Sequence, residues 1–215
     1  LVLVMHGFMM STANMVSSTS MNSRVSAQGR GGAVVVYPDG TGLDGLTSCW
    51  RVQGATPLGG CSNPAIDDVG YIAALIDLMI SRYNVDANRV YAMGFSNGGS
   101  MTLQLACFLN WKITAFGIVA AGPLNGEGGS YRFVDTWQCP HPNRRLSSGR
   151  VPMMWVHGNA DPMALYSPNV VPTTQWFAGR QGMSEASGSS CTSGGFSCSR
   201  RRWAPPARRP RRCRR

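Results

Sequence analysis

The stretch YAMGFSNGGSMTLQLACF, residues 91–108, constrains the fold of this chain more than any other. An apolar, β-forming run stops at Phe95, one serine follows, and a helical pattern begins at once. A G-x-S-x-G sequence of this kind requires a strand before it and a helix after it. The turn is so tight that Ser96 must take strained backbone angles. Side chains at positions 94 and 98 would collide with the neighbouring strand and helix, which accounts for the two glycines. A strand that passes into a helix across a single residue is a building block of a parallel α/β sheet.

The remainder of the chain repeats that alternation. LVLVMHG (1–7) reads as a buried strand; it is short and lacks a basic leader, so it is not read as a signal peptide. Residues 13–28 are polar and weakly helical, and AVVVYPD (33–39) is a second strand whose valine run suits burial on both faces. A Gly-rich loop follows over 40–65, and loops of that length tend to be functional. IDDVGYIAALIDLMISRYN (66–84) is the strongest helix, with Ile72, Leu75, Ile76 and Met79 on one stripe. Asp67 and Asp68 fall in its first turn, where the helix dipole favours acids. ITAFGIVAAG (113–122) and VPMMWVHGNADP (151–162) give the fourth and fifth strands, and VVPTTQWFAGRQ (170–181) a last helix. Beyond Met183 the composition turns to Ser, Gly and Arg, and no strand is predicted there. The expectation is therefore an α/β domain with a mostly parallel sheet of about five strands flanked by helices over residues 1–183, with a disordered tail over 184–215. A length of 215 residues allows one such domain, and its 43% apolar content is ordinary for a globular core.

The net charge of +10 invites a polyanion partner until it is located. Residues 200–215 hold nine arginines and no acid, which leaves eleven Lys/Arg against ten Asp/Glu over 1–199. The globular part is nearly neutral, so no specific nucleic acid and no membrane partner is expected of it. The tail would bind polyanions without sequence preference. An Arg/Pro/Ala-rich end is also what GC-rich coding sequence yields out of frame. None of the seven cysteines forms a C-x-x-C pair, so no metal is expected. Cys49 and Cys61 flank a Gly/Pro-rich loop that a disulfide would close, which points to an oxidising, extracellular context.

The chemistry centres on Ser96, exposed at the C-terminal edge of the sheet. The N–H of Asn97, at the start of the helix, is free to face a developing oxyanion. A second donor should come from the loop after His6-Gly7, with Phe8 the natural choice and Met9 the alternate. An acid should follow the serine in this order of motifs, and Asp161 in HGNADP is favoured by position over Asp135 in YRFVDTW. His6 is read as ordering its loop by hydrogen bonding, and His157 as a packed or loop-ordering residue.

With MHG, VVYPDG, the 66–101 segment and WVHGNADP in this order, the chain resembles the secreted α/β-hydrolase esterases of the polyhydroxybutyrate depolymerase and feruloyl esterase group. The resemblance covers roughly residues 1–183. It implies a Ser–Asp–His triad, no metal or other cofactor, and carboxylic ester substrates, either hydroxyalkanoate polyesters or acyl groups on plant polysaccharide. By that resemblance Ser96 is the nucleophile, Asp161 the acid, and Phe8 with Asn97 the oxyanion donors. Trp50 and Tyr37 are similar to the aromatic positions of the family's active-site loop, and Trp137 joins them as a substrate-binding residue.

Two departures stand out. The family's opening strands lie upstream of the HG strand, and its catalytic histidine follows the acid. Here His6, His141 and His157 all precede Asp161. No base is assigned, and impaired hydrolysis is expected. The alternative is a non-catalytic relative that binds an ester or glycan through Trp50 and Trp137.

Overall fold

The computed structural model of the chain describes residues 1–27, 32–42, 44–53, 61, 63–122, 151–163, 170–181, 184–193 and 196–204, the last two as backbone. Strands β1 (Val2–Met5), β2 (Val35–Val36), β3 (Tyr91–Phe95), β4 (Ala115–Val119) and β5 (Met153–Val156) form one sheet, ordered β2-β1-β3-β4-β5. Every pairing is parallel. The segments that leave the strands therefore all emerge at the same edge. His6–Phe8 come after β1, Ser96 after β3, Ala120 after β4 and His157 after β5. Strand order reverses between β1 and β3, and in open α/β sheets ligands bind outside the strand ends at such a switch.

The apolar patterning explains the layers. Leu3, Met5, Ile113 and Ile118 are fully buried, together with Ile72 and Ile76 from helix α3 (Asp68–Tyr83). Asp67 caps α3 by accepting from the Gly70 N–H at 2.8 Å, and Asn84 ends it in the left-handed region at φ 50°. Helix α4 (Asn97–Phe108) lies inside the molecule, every residue from Asn97 to Cys107 being buried. Its polar side chains must then find partners. Ser100 Oγ donates to Gly122 O at 3.1 Å and Thr102 Oγ1 to Gly98 O at 2.8 Å. Asn97 and Gln104 reach out to the loop at residues 50–53.

Three local expectations change. The polar 13–28 segment is two helices, α1 (Thr12–Thr19) and α2 (Met21–Ala27), broken at Ser20, whose φ is 47°. The second strand is two residues long, because β2 pairs with β1 only at Val35 and Val36 before Pro38 and Gly40 turn the chain away. Where no strand was predicted, β6 (Ser184–Ser193) and β7 (Phe196–Ala204) form an antiparallel hairpin with a register shift between Glu185 and Ser187. The sequences SEASGSSCTS and FSCSRRRWA carry no regular apolar alternation to betray them. Helix α5 (Val171–Arg180), by contrast, falls where it is predicted. Residues 205–215 lie outside the described residues.

Candidate active site

Ser96 sits between β3 and α4 at φ 53° and ψ −121°, a conformation that a side chain bearing a Cβ rarely takes. The strain is held by close packing on both sides. A Cβ on Gly94 would lie 2.1 Å from Gly98 O, and one on Gly98 only 2.3 Å from His6 O. Backbone atoms of β1, β3 and α4 thus occupy the space that side chains at those positions would need. The Ser96 N–H is tied to Val119 O at 2.9 Å, and Ser96 O accepts from Ser100 N at 2.9 Å. Both bonds fix the peptide while the half-buried hydroxyl makes no hydrogen bond among the described residues.

Two candidate donors converge on this edge. Asn97 is the first residue of α4, so its N–H has no intrahelical partner and sits at the positive end of the dipole. Phe8 follows β1, and a Cβ on the intervening Gly7 would be 3.4 Å from Ser96 Cβ, so that loop passes directly beside the serine. The alternate donor, Met9, is spent: its N–H donates to Ser48 O at 2.8 Å. Phe8 and Met9 on the loop beside Ser96 and Phe95 just before it are exposed at 37%, 66% and 38%, an apolar surface that the sequence did not signal.

His6 is completely buried. Its Nε2 accepts from the Gly40 N–H at 2.9 Å, and its Nδ1 lies 2.8 Å from Gly7 O. A neutral imidazole with its proton on Nδ1 satisfies both bonds, with Asp39 Oδ1 3.3 Å from Nε2. Both nitrogens are occupied, so the ring orders the loop and has no site left for proton transfer.

The acid side is separate. Asp161 Oδ2 lies 3.4 Å from His157 Nε2, and Asp161 Oδ1 accepts from the Met163 N–H at 2.9 Å. The His157 side chain is 2% exposed, as a packed residue would be. Both residues follow β5, two strands away from Ser96, or about 10 Å at ordinary strand spacing. The structure brings Ser96, Asn97 and Phe8 together and puts Asp161 on the same edge. No imidazole contacts Ser96 among the described residues.

The aromatic expectations need correction. Trp50 is 1% exposed, its indole N–H donates to His6 O at 2.9 Å, and its ring lies 5.0 Å from that of His6. A ring enclosed in this way cannot take substrate; it is a packing element beneath the site. Tyr37 is half-buried, donates to Asn22 Oδ1 on α2 at 3.3 Å, and follows β2, two strands from Ser96 on the other side of β3 from Asp161. Trp137, Asp135 and His141 lie outside the described residues. Cys49 and Cys61 are joined, their Cα atoms 6.1 Å apart, and Cys107 is disulfide-bonded as well.

Sequence reasoning missed a group of buried polar residues. Asp68, expected to be a helix-start charge, points inward at 7% exposure and accepts from the Arg51 N–H at 2.6 Å. Burial pushes its carboxyl above the usual carboxylate range, and the Arg51 N–H and charge only partly oppose this. Gln104, 4% exposed, accepts from the Gln53 N–H at 2.6 Å. No motif marks such residues, because their partners are backbone atoms some 17 to 51 positions away.

Comparison with known proteins agrees with this geometry. The model of the prolyl oligopeptidase family matches residues 18–122, which include the whole strand–serine–helix unit. Among solved structures, acetyl xylan esterase from Aspergillus awamori superposes with a TM-score of 0.58 at 18% identity, over 87% of this chain and 73% of that one. The chain has the α/β-hydrolase fold. The poly(3-hydroxybutyrate) depolymerase of Ralstonia pickettii is 32% identical over 57% of this chain and 25% of its own length. Acetylxylan esterase A of Emericella nidulans is 31% identical over 69% of this chain and 52% of its own length. The chain thus spans between a quarter and about half of the length of these relatives. Among its described residues, no helix is long and apolar enough to cross a membrane.

Proposed function

We propose that this α/β-hydrolase is built to cleave carboxylic esters through Ser96. The reading rests above all on the strained backbone of Ser96 at the mouth of the β1/β3 switch, with the Asn97 and Phe8 N–H groups beside it. In the reaction Ser96 Oγ attacks the ester carbonyl. The carbonyl oxygen becomes an oxyanion held by the two N–H groups, the alcohol leaves, and water then cleaves the acyl-serine. Asp161 has the position of the acid that would orient a base. The apolar surface of Phe8, Met9 and Phe95 favours an ester with an apolar acyl or aryl face. The relatives point to polymeric substrates, a hydroxyalkanoate polyester or an acylated polysaccharide. Disulfides at Cys49–Cys61 and Cys107 fit an extracellular setting.

In the polypeptide as it stands no histidine follows Asp161, and His6 and His157 are engaged elsewhere. Without a base the serine keeps its proton. Loss of the histidine from a serine hydrolase lowers turnover about a million-fold, or roughly 8 kcal/mol, whereas one oxyanion donor contributes about 3. A Ser96 that lacks a base is therefore expected to react slowly. A second reading, a non-catalytic ester or glycan binder, draws support from the unpartnered Ser96 hydroxyl but loses Trp50 as a binding surface.

A fluorophosphonate probe, with the adduct located by peptide mass spectrometry, separates the two. Labelling confined to Ser96, slow and abolished by Ser96→Ala, is the expected result. A wild-type protein that stays unlabelled after prolonged incubation, while folded, would overturn the hydrolase reading in favour of the binder.

A further inference from the structure

Residues 49–53 belong to no helix or strand, yet their backbone is held almost atom by atom. The Cys49 N–H donates to Gly40 O at 2.9 Å. The Trp50 N–H donates to Asn97 Oδ1 at 2.7 Å, and Asn97 Nδ2 donates back to Trp50 O at 3.1 Å. The Arg51 N–H goes to Asp68 Oδ2 and the Gln53 N–H to Gln104 Oε1. Three buried side chains, two from α4 and one from α3, are thus committed to one short strap, which the Cys49–Cys61 bridge also ties down. An apolar filling would stabilise a core at lower cost, since each buried polar group must find a partner.

The strap also grips the loop that carries Phe8, and does so on both sides. Ser48 O accepts from the Met9 N–H at 2.8 Å, one residue after Phe8. The Trp50 indole N–H holds His6 O at 2.9 Å, two residues before it. The two candidate oxyanion donors belong to different elements, the β1 loop and the first turn of α4. Their separation must nevertheless be fixed, because donors act only at about 2.7–3.1 Å from the developing charge. The strap bonds to both elements within three consecutive residues, 48 to 50.

We propose that the 48–53 strap is the template that sets the spacing of the Phe8 and Asn97 N–H groups, with the Asn97 side chain as its positioning residue. The proposal rests on the Ser96 reading. It adds that one residue serves the site twice, its N–H facing the oxyanion and its carboxamide locking the partner loop. Trp50, enclosed beneath the serine, passes that lock on to His6.

The test uses the full chain and two readouts. The first is amide hydrogen exchange over residues 6–10 and 48–53. The second is the kinetics of Ser96 phosphonylation by a fluorophosphonate, resolved into the maximal rate and the half-saturating concentration. Asn97→Ala should speed exchange in both segments by about tenfold or more while β3 and β4 stay protected. It should lower the maximal phosphonylation rate by about 10- to 100-fold with little change in half-saturation. Trp50→Phe keeps the ring and loses the bond to His6 O. It should do the same more mildly, and the double variant should fall short of the product of the two singles. Leu105→Ala, a core change on the same helix, should lower the melting temperature and leave the maximal rate unchanged.

Unchanged exchange over 6–10 in a folded Asn97→Ala protein would overturn the template, as would a Leu105→Ala protein that loses as much rate. If Asn97→Ala does not fold, Trp50→Phe carries the same two readouts. If wild-type Ser96 takes no label, the hydrolase reading fails by itself and exchange alone decides the strap.

Discussion

The two ends of the same sheet edge are built differently. At the β1/β3 end, Ser96, Gly7 and the first turn of α4 are packed so closely that three glycine positions have no room for a methyl group. Four backbone polar atoms of the strap beneath are bonded to buried side chains. At the β5 end, Asp161 rests against His157, and the strand leading to them leaves Met154 and Val156 exposed at 65% and 51%. The end that would hold an oxyanion is over-determined. The end that would handle the proton has an acid and a packed imidazole, and neither contacts Ser96 among the described residues. Stabilising charge and moving a proton are separable tasks, and the proposed site is better built for the first.

The largest way to break that contrast is Gly98→Ala. The added methyl would meet His6 O at 2.3 Å and Met5 O at 2.5 Å, both backbone atoms of β1 and its exit that cannot yield without opening the sheet. The expected loss is about 3 kcal/mol or more, read from urea unfolding, with most of the protein insoluble on expression. A soluble variant within about 1 kcal/mol of wild type would show that the β1/β3 end is slack, and the contrast would vanish.

Asp68→Asn probes the strap more gently, through pH. The folded protein holds the Asp68 proton more tightly than the unfolded chain does, because burial penalises the carboxylate. The stability this contributes is fully present below the unfolded carboxyl value near ~3.9, and it is lost as pH rises through the raised folded value. Arg51, Asp67 and His6 are the ionisable neighbours; the Arg51 charge opposes the shift and Asp67 adds to it. Asparagine keeps an oxygen for the Arg51 N–H and cannot ionise. The variant should therefore be more stable than wild type near pH ~7, with the two curves converging toward pH ~3. Chemical denaturation across that range checks it. An advantage that grows on acidification would mean that Asp68 is held as a favourable carboxylate instead.

What the sequence makes legible divides along the same line. The strand–serine–helix unit, the α3 stripe and the position of Asp161 at a strand end are local patterns, set by periodicity and turn chemistry. The strap is not local. Asn97, Asp68 and Gln104 are a motif residue, a helix-start acid and an unremarkable glutamine until the fold brings residues 50–53 to them, and carboxamide-to-backbone bonds have no period. Trp50 misleads for a related reason. A tryptophan in a long Gly-rich loop looks like a ligand platform, and only its contact with His6, 44 residues earlier, shows that it is enclosed. The β6–β7 hairpin escapes because strand pairing is a backbone property and its Ser- and Arg-rich strands show no apolar alternation.

The smallest effect is expected at the other end of the edge. Met154 and Val156 alternate with Met153 and Trp155, which pack against the core, and the Trp155 indole N–H donates to Ala121 O at 3.1 Å. Replacing the outward pair by Met154→Ser and Val156→Thr removes no buried area that stabilises the fold. Polar β-branched threonine also remains a good strand former. Unfolding should change by no more than about 0.5 kcal/mol per site, and solubility should rise because less apolar surface faces water. A cost well above about 1 kcal/mol would mean that this face is covered in the working protein. His157 and Asp161 would then sit in an interior as closed as that of Ser96. The difference between a finished half and an open half would be gone, and with it the reason for assigning oxyanion binding and proton transfer to parts of unequal completeness.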